Sequence, residues 1–270
     1  MLPADGPTLQ AMRLSRNRNW GHPDLVRLVE RLAADARVHE GWPGLLIGDM
    51  AQPRGGPMRT GHASHQVGLD ADIWLTPMPD RRLTSKERED LAATDMLGPY
   101  KLTVDPAVWT PKQGALIKRA ASYHDVERIF VHPAIKKALC ETAGFDRQWL
   151  SKVRPMWGHN YHFHVRISCP TGSPACRSQA LPSTTDDGCG KELDDWFQLL
   201  SKPEPPPPPP APPDTAPPAP RGLRVDQLPP ECKQVLEGSE SLVRRFFRWP
   251  AKSPAAHKAA EKAQRAAVGK

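Results

Sequence analysis

Two rhythms of apolar and polar positions run along this chain. Between Pro23 and Ala34, Leu25, Leu28, Val29 and Leu32 recur at helical spacing behind a proline suited to a first turn, which predicts an amphipathic core helix. Lys112 to Tyr123 and Pro133 to Thr142 read as helices too, the second ended at Gly144, and Glu192 to Leu200 as a closing helix with Trp196 and Phe197 inward. Gly44 to Ile47 is a short buried strand, and Val126 to His132 another with His132 at its end. Leu69-Asp-Ala-Asp-Ile-Trp74 alternates with period 2, so it predicts a strand with one acidic and one apolar face, Asp70 and Asp72 pointing the same way. His162 to Ser168 predicts one more strand, and Thr76 to Leu102, polar and broken by prolines, reads as loops with a short helix over the site. Together these elements predict an α+β fold: a small, mostly antiparallel sheet flanked by helices, with polar strand faces open to a groove.

Composition adds a boundary. Twelve of the 32 prolines in the 270 residues fall between Pro203 and Pro220, a run that can form neither ladder nor helix and predicts an extended spacer. The chain therefore divides into a domain over residues 1–202, a proline-rich linker over 203–220 and a tail over 221–270, partly disordered. The tail carries eleven Lys and Arg against five Asp and Glu, most of the net charge of +7, and leaves the domain nearly neutral. Nothing in the domain resembles a nucleic-acid module, so the basic tail is expected to attract anionic polymers weakly or simply to stay solvated. No run of 18 apolar residues predicts a membrane span.

Histidines carry the candidate chemistry. His62 and His65 stand just before the acidic strand face, and His162 and His164, at i and i+2, share a face roughly 6.6 Å apart along their strand. Imidazoles and a carboxylate are what zinc takes, a catalytic site keeping three protein ligands and an open position. The chain has no His-Glu-x-x-His; His39-Glu40 is followed by Gly41-Trp42-Pro43, so a general base has to come from elsewhere. His162, beside His164, is expected as general base or transition-state stabiliser, and His159, at the turn before the strand, as a second stabiliser. Ser64 lies between two histidines but lacks the Gly-x-Ser-x-Gly elbow of a serine nucleophile, and Arg54-Gly55-Gly56 lacks the Gly-Lys-Ser/Thr of a phosphate loop.

His65-x6-Asp72 followed by His162-x-His164 resembles the signature of the zinc peptidases grouped with lysostaphin, the D-Ala-D-Ala metallopeptidases and the sonic hedgehog fold. Arg54-Gly-Gly, Gly61-His-Ala-Ser-His-Gln-x-Gly-Leu-Asp-x-Asp-Ile73, Arg128-Ile-Phe-Val131, Pro133-Ala-Ile-Lys136 and Lys152-Val-Arg-Pro155 are similar, more narrowly, to the penicillin-insensitive murein endopeptidases, from about Leu2 to Cys232. The resemblance implies Zn2+ held by His65, Asp72 and His164, with His62 an extra contact or a group just outside the ligands. Alternation alone does not choose between Asp72 and Asp70, which is equally placed to accept a proton from a ligand imidazole. Some relatives add a contact from an Asp and a His three residues on; Asp95 matches the first, but Gly98 stands where the His would be. The implied activity is hydrolysis of D-alanyl to diaminopimelate cross-links in peptidoglycan, with a D,D-carboxypeptidase of the same fold or a non-catalytic wall-binding module as alternatives. Every candidate position is filled, which favours an enzyme.

Cysteines set the compartment. No C-x-x-C occurs among the five; Cys169 and Cys176 close a turn-rich loop, and the resemblance implies a second bridge from Cys140 to Cys189, leaving Cys232 over. Disulfides need an oxidising compartment, the periplasm for this family, yet Met1-Leu-Pro-Ala-Asp-Gly6 has no basic or apolar leader region. The expectation is a longer natural product whose upstream part supplies an export signal and a partner for Cys232.

Overall fold

The computed structural model describes residues 1–58, 64–179, 185–201, 224–228, 230 and 232–233. The chain divides into two compact units, Met1–Gly222 and Leu223–Lys270; what is described of the second includes a short 3-10 turn, Val225–Gln227. The linker, most of the tail and His62 lie outside the described residues.

The first unit is α+β. Among the described residues six strands, β1 (Leu9–Ala11), β2 (Leu45–Ile47), β3 (Asp70–Pro77), β4 (Val126–Val131), β5 (Val153–Pro155) and β6 (His162–Ile167), form one sheet in the order β1-β2-β3-β6-β4-β5. The helices are α1 (Pro23–His39), α2 (Ser85–Asp90), α3 (Pro111–Ser122), α4 (Pro133–Thr142) and α5 (Lys191–Leu200). The sheet is mixed. Its central pairings are antiparallel, but β1 lies parallel to β2 and β5 parallel to β4, so the expectation of a mostly antiparallel sheet holds for the centre and not for the edges. Both edge strands are three residues long, too short to show a period in sequence.

Local chemistry explains the helices. Pro23 and Pro133 open α1 and α4, and in each the preceding histidine caps the first turn, the Nδ1 of His22 accepting from Asp24 N and that of His132 from Ala134 N, both at 3.2 Å. A reciprocal capping box, Thr110 with Gln113, starts α3, and Gly144, at φ +61, follows the end of α4. His132, expected at the end of a strand, lies just past β4 and is the buried cap of α4. The short helix expected between Thr76 and Leu102 is α2; its buried Arg88 bonds to Ala4 O and pairs with Asp5, so it packs on the N-terminal segment. In α5 the expectation fails in detail: Leu193 is the buried residue, while Trp196 and Phe197 are half-buried, Trp196 edge-on to the exposed Trp157.

Strand alternation splits the core. Ala71, Ile73 and Leu75 of β3, with Phe163 and Val165 of β6, are fully buried in one cluster with Leu25, Leu28, Leu32, Leu116 and Ile117 of the helices. Burying each large side chain contributes about 1.5–3 kcal/mol. On the opposite face Leu46 and Trp74 join a smaller cluster with Met12, Met78 and Leu83. A slip of one residue between β3 and β6 would drive carboxylates and imidazoles into the larger cluster, so this register is strongly specified.

Candidate metal centre

The antiparallel register of β3 and β6 sets Asp72 opposite His164, Asp70 opposite Arg166 and Trp74 opposite His162. Directly opposed residues share one face with close Cβ atoms, so two carboxylates meet two imidazoles on the polar face of the sheet. His65 arrives from a 3-10 turn, His65–Val67, closed by Gly68 at φ +72. A side chain at Gly68 would meet Gly21 and His22 backbone, and the Gly68 carbonyl accepts from His22 N at 2.8 Å, so the turn is tied to the start of α1.

One atom is the focus. Asp72 Oδ1 lies 3.1 Å from His164 Nδ1, 3.3 Å from His65 Nε2 and 3.5 Å from His162 Nε2. All four residues are buried, His65 only 1% exposed. Burial by itself would raise the Asp72 carboxyl, but the charge of His162 and hydrogen bonds with His164 and His65 outweigh it and hold it well below the usual carboxylate range. Among the described residues, His65, Asp72 and His164 form a group whose ligand atoms all lie within 4.8 Å of one another. Two imidazoles and a carboxylate at that spacing fit a metal ion with three protein ligands.

The shell behind the group orients it. Asp70, fully buried, accepts from His164 Nε2 at 2.9 Å through Oδ1 and from Arg166 Nη1 at 2.6 Å through Oδ2. The Nε2 proton of His164 is thereby fixed and its Nδ1 faces the group, the arrangement in which a ligand imidazole is most basic. Burial pushes His164 down, but its hydrogen bonds to Asp70 and Asp72 win and raise it to about 9. Asp70 and Asp72, indistinguishable by alternation, are separated by the two nitrogens of one ring.

His159 lies at the rim. Its Nδ1 donates to Trp157 O at 2.6 Å, and its ring centroid is 5.0 Å from that of His162 and 5.9 Å from that of His164. Burial, reinforced by the neighbouring His162 and His164, lowers it to about 4, so it is neutral near pH 7 and presents Nε2 as an acceptor. The His159 carbonyl accepts from His132 N at 2.8 Å, anchoring this turn to the cap of α4. Asp95 is not drawn into the group; its Oδ1 caps a turn by accepting from Leu97 N at 3.0 Å.

Other residues of the site carried no motif. A cavity of about 310 Å³ borders Asp72 and is walled by Arg13, Arg16, Asp49, Trp74 and Tyr161. Burial, and next the Asp72 charge, raise the Tyr161 phenol, which therefore stays a hydrogen-bond donor. Tyr161 could have been noticed, since it sits inside the histidine-rich stretch; the arginines lie some fifty residues upstream of the first histidine pair with nothing in their spacing to mark them.

The cysteines pair as expected, Cys140 with Cys189 and Cys169 with Cys176, while Cys232 is free. Among the described residues, no helix is long and apolar enough to cross a membrane.

Comparison with known proteins identifies the family. Residues 1–237 match the family model described as penicillin-insensitive murein endopeptidase. A protein of that name from Klebsiella pneumoniae is 45% identical over 237 residues, 87% of this chain and 80% of the relative. One from Haemophilus influenzae is 48% identical over 199 residues, 73% and 68% of the two chains, and one from Yersinia pestis is 46% identical over 237 residues, 87% and 80%. A match of this extent spans β1 to β6 and both halves of the histidine and aspartate group, and by it the chain belongs to the penicillin-insensitive murein endopeptidase family.

Proposed function

We infer that this protein is a murein endopeptidase that uses zinc and cleaves D-alanyl to diaminopimelate cross-links of peptidoglycan in the periplasm. The observation that carries this reading is the convergence of His65 Nε2 and His164 Nδ1 on Asp72 Oδ1, at 3.3 and 3.1 Å, with Asp70 fixing the outer proton of His164. Zinc held by His65, Asp72 and His164 would supply Lewis acidity, polarising the scissile carbonyl and lowering the pKa of a water molecule toward ~7.

The side chains around that group do the proton work. His162 presents Nε2 to the same carboxylate oxygen, 3.5 Å away, where it takes the proton of the attacking water and returns it to the leaving amine. His159, neutral with Nδ1–H held by Trp157, helps by accepting a hydrogen bond at Nε2; it keeps no second N–H for a developing oxyanion. Tyr161, its ring centroid 4.4 Å from that of His162, keeps an O–H beside the site. With water as nucleophile, a β-lactam finds no side chain to acylate. Two disulfides support an oxidising compartment.

The test is mass analysis of products from purified muropeptide dimers incubated with the zinc-loaded protein. Conversion of dimers to monomers is expected. Release of free alanine from pentapeptide monomers, with dimers untouched, would make it a carboxypeptidase, and binding of dimers without turnover would make it a non-catalytic module.

A further inference from the structure

The cavity beside Asp72 sets two arginines, Arg13 and Arg16, in a wall that also holds Asp49, an arrangement that peptide hydrolysis alone does not require. Arg13 caps and Arg16 ends the short 3-10 turn Leu14–Arg16, and both residues flanking that turn are left-handed without being glycine, Arg13 at φ +56 and Asn17 at φ +51. Such conformations persist where surrounding structure over-determines them, and they gather at ligand sites. The fold holds this turn firmly: the Arg13 side chain donates to Leu91 O at 2.8 Å and Arg88 O at 3.3 Å, and the guanidinium lies 5.7 Å from the Trp74 ring centroid. These partners are neutral and place the Arg13 guanidinium, while the Glu89 carboxylate, held by Ser15 of the same turn, lies close enough for the charges of Arg13 and Arg16 to help lower its pKa. Arg16 is about half exposed and shares one oxygen, Asp49 Oδ2, with Arg18, at 3.0 and 2.8 Å. Arg16 meets Asp49 through Nη1 alone, so its other N–H groups remain to take a ligand oxygen. Trp74, Ala92 and Ala93 add apolar surface to the same cavity.

We propose that Arg13 and Arg16 bind a carboxylate of the substrate peptide, the one on the carbon next to the scissile nitrogen. The inference rests on the peptidase reading above and deepens it. With the scissile carbonyl at Asp72, the acyl-acceptor residue enters the adjoining cavity, its carboxylate within a single residue, roughly 3.8 Å of chain, of the bond to be cut. Diaminopimelate acylated on one amine keeps a free carboxylate on that same carbon. Guanidinium groups suit a carboxylate because their planar N–H donors match its two oxygens.

The experiment compares two substrates with the zinc-loaded full chain: a muropeptide dimer with a free diaminopimelate carboxylate at the cross-link, and the same dimer with that carboxylate amidated. The wild type should prefer the free acid by roughly 10- to 100-fold in kcat/KM, the scale of hydrogen bonds to a charged group. Arg16→Gln should collapse that ratio toward one, chiefly through a higher KM for the free acid, and Arg16→Lys should restore part of it. Arg13→Gln should act the same way; because Arg13 also braces the turn, Arg16→Gln decides the matter if Arg13→Gln folds poorly. Equal loss on both substrates in Arg16→Gln, or no wild-type preference for the free acid, overturns the proposal. A wild type that cleaves neither dimer overturns the peptidase reading first and the proposal with it.

Discussion

Asp70 Oδ1 lies 2.9 Å from Nε2 of His164, on the far side of the imidazole from Asp72. This contact decides which nitrogen of His164 faces the site, and it couples the site to the sheet, because the other oxygen of Asp70 accepts from Arg166, whose Nε lies 3.3 Å from Glu127.

Replacing Asp70 by Asn tests that orientation. An amide can still accept from His164 but loses the charge that sharpens imidazole basicity, so zinc affinity should fall about 10- to 100-fold. The measurement is competition with a chelator of known affinity. An unchanged dissociation constant would show that Asp70 serves the sheet alone.

If zinc is held as proposed, His65→Ala, Asp72→Ala and His164→Ala should each lose most of it along with hydrolysis, since each removes one of the three proposed ligands. His162→Ala should separate the two properties, keeping zinc while turnover falls ~10²–10⁴, the usual worth of a positioned proton-transfer group. Metal analysis beside dimer hydrolysis distinguishes them, and loss of zinc in His162→Ala would make that residue a ligand.

His132 predicts a pH dependence of stability. Burial lowers it to about 4 from 6.5, so between those values the unfolded chain binds a proton that the folded one refuses. Stability from this group is therefore complete above about 6.5 and is lost as pH falls toward 4. His132→Asn keeps an N-cap acceptor for α4 but does not titrate, and should flatten this part of the curve. Urea unfolding of both proteins from pH 7 to pH 4 checks it; parallel curves would contradict it.

The disulfides should differ in worth. Cys140–Cys189 spans 49 residues and joins α4 to the start of α5, whereas Cys169–Cys176 closes a loop of 7. Replacing the first pair by alanines should cost ~4 kcal/mol and the second nearer ~2–3, if chain entropy dominates. Non-reducing urea denaturation measures both, and the reverse order would assign the stabilisation to native-state packing instead.

Much of this was legible in sequence, for a physical reason. Each element that was read correctly carries its own cause: Pro133 opening and Gly144 ending α4, the alternation of Leu69 to Trp74, the spacing of Leu25, Leu28, Val29 and Leu32. The same alternation put both aspartates on one face and His162 with His164 on another, so both halves of the site were in view before their contact was. Only tertiary structure decided the rest. The register between β3 and β6 joins positions some ninety residues apart, and it alone gives Asp72 and Asp70 different nitrogens of His164. The parallel edge strands β1 and β5 exist because neighbours complete their hydrogen bonds, not because three residues favour extension. The left-handed turn that sets Arg13 and Arg16 beside Asp72 is held by Arg88 and Leu91 carbonyls from a distant segment; a non-glycine residue gives no local sign of a conformation that only its surroundings make affordable.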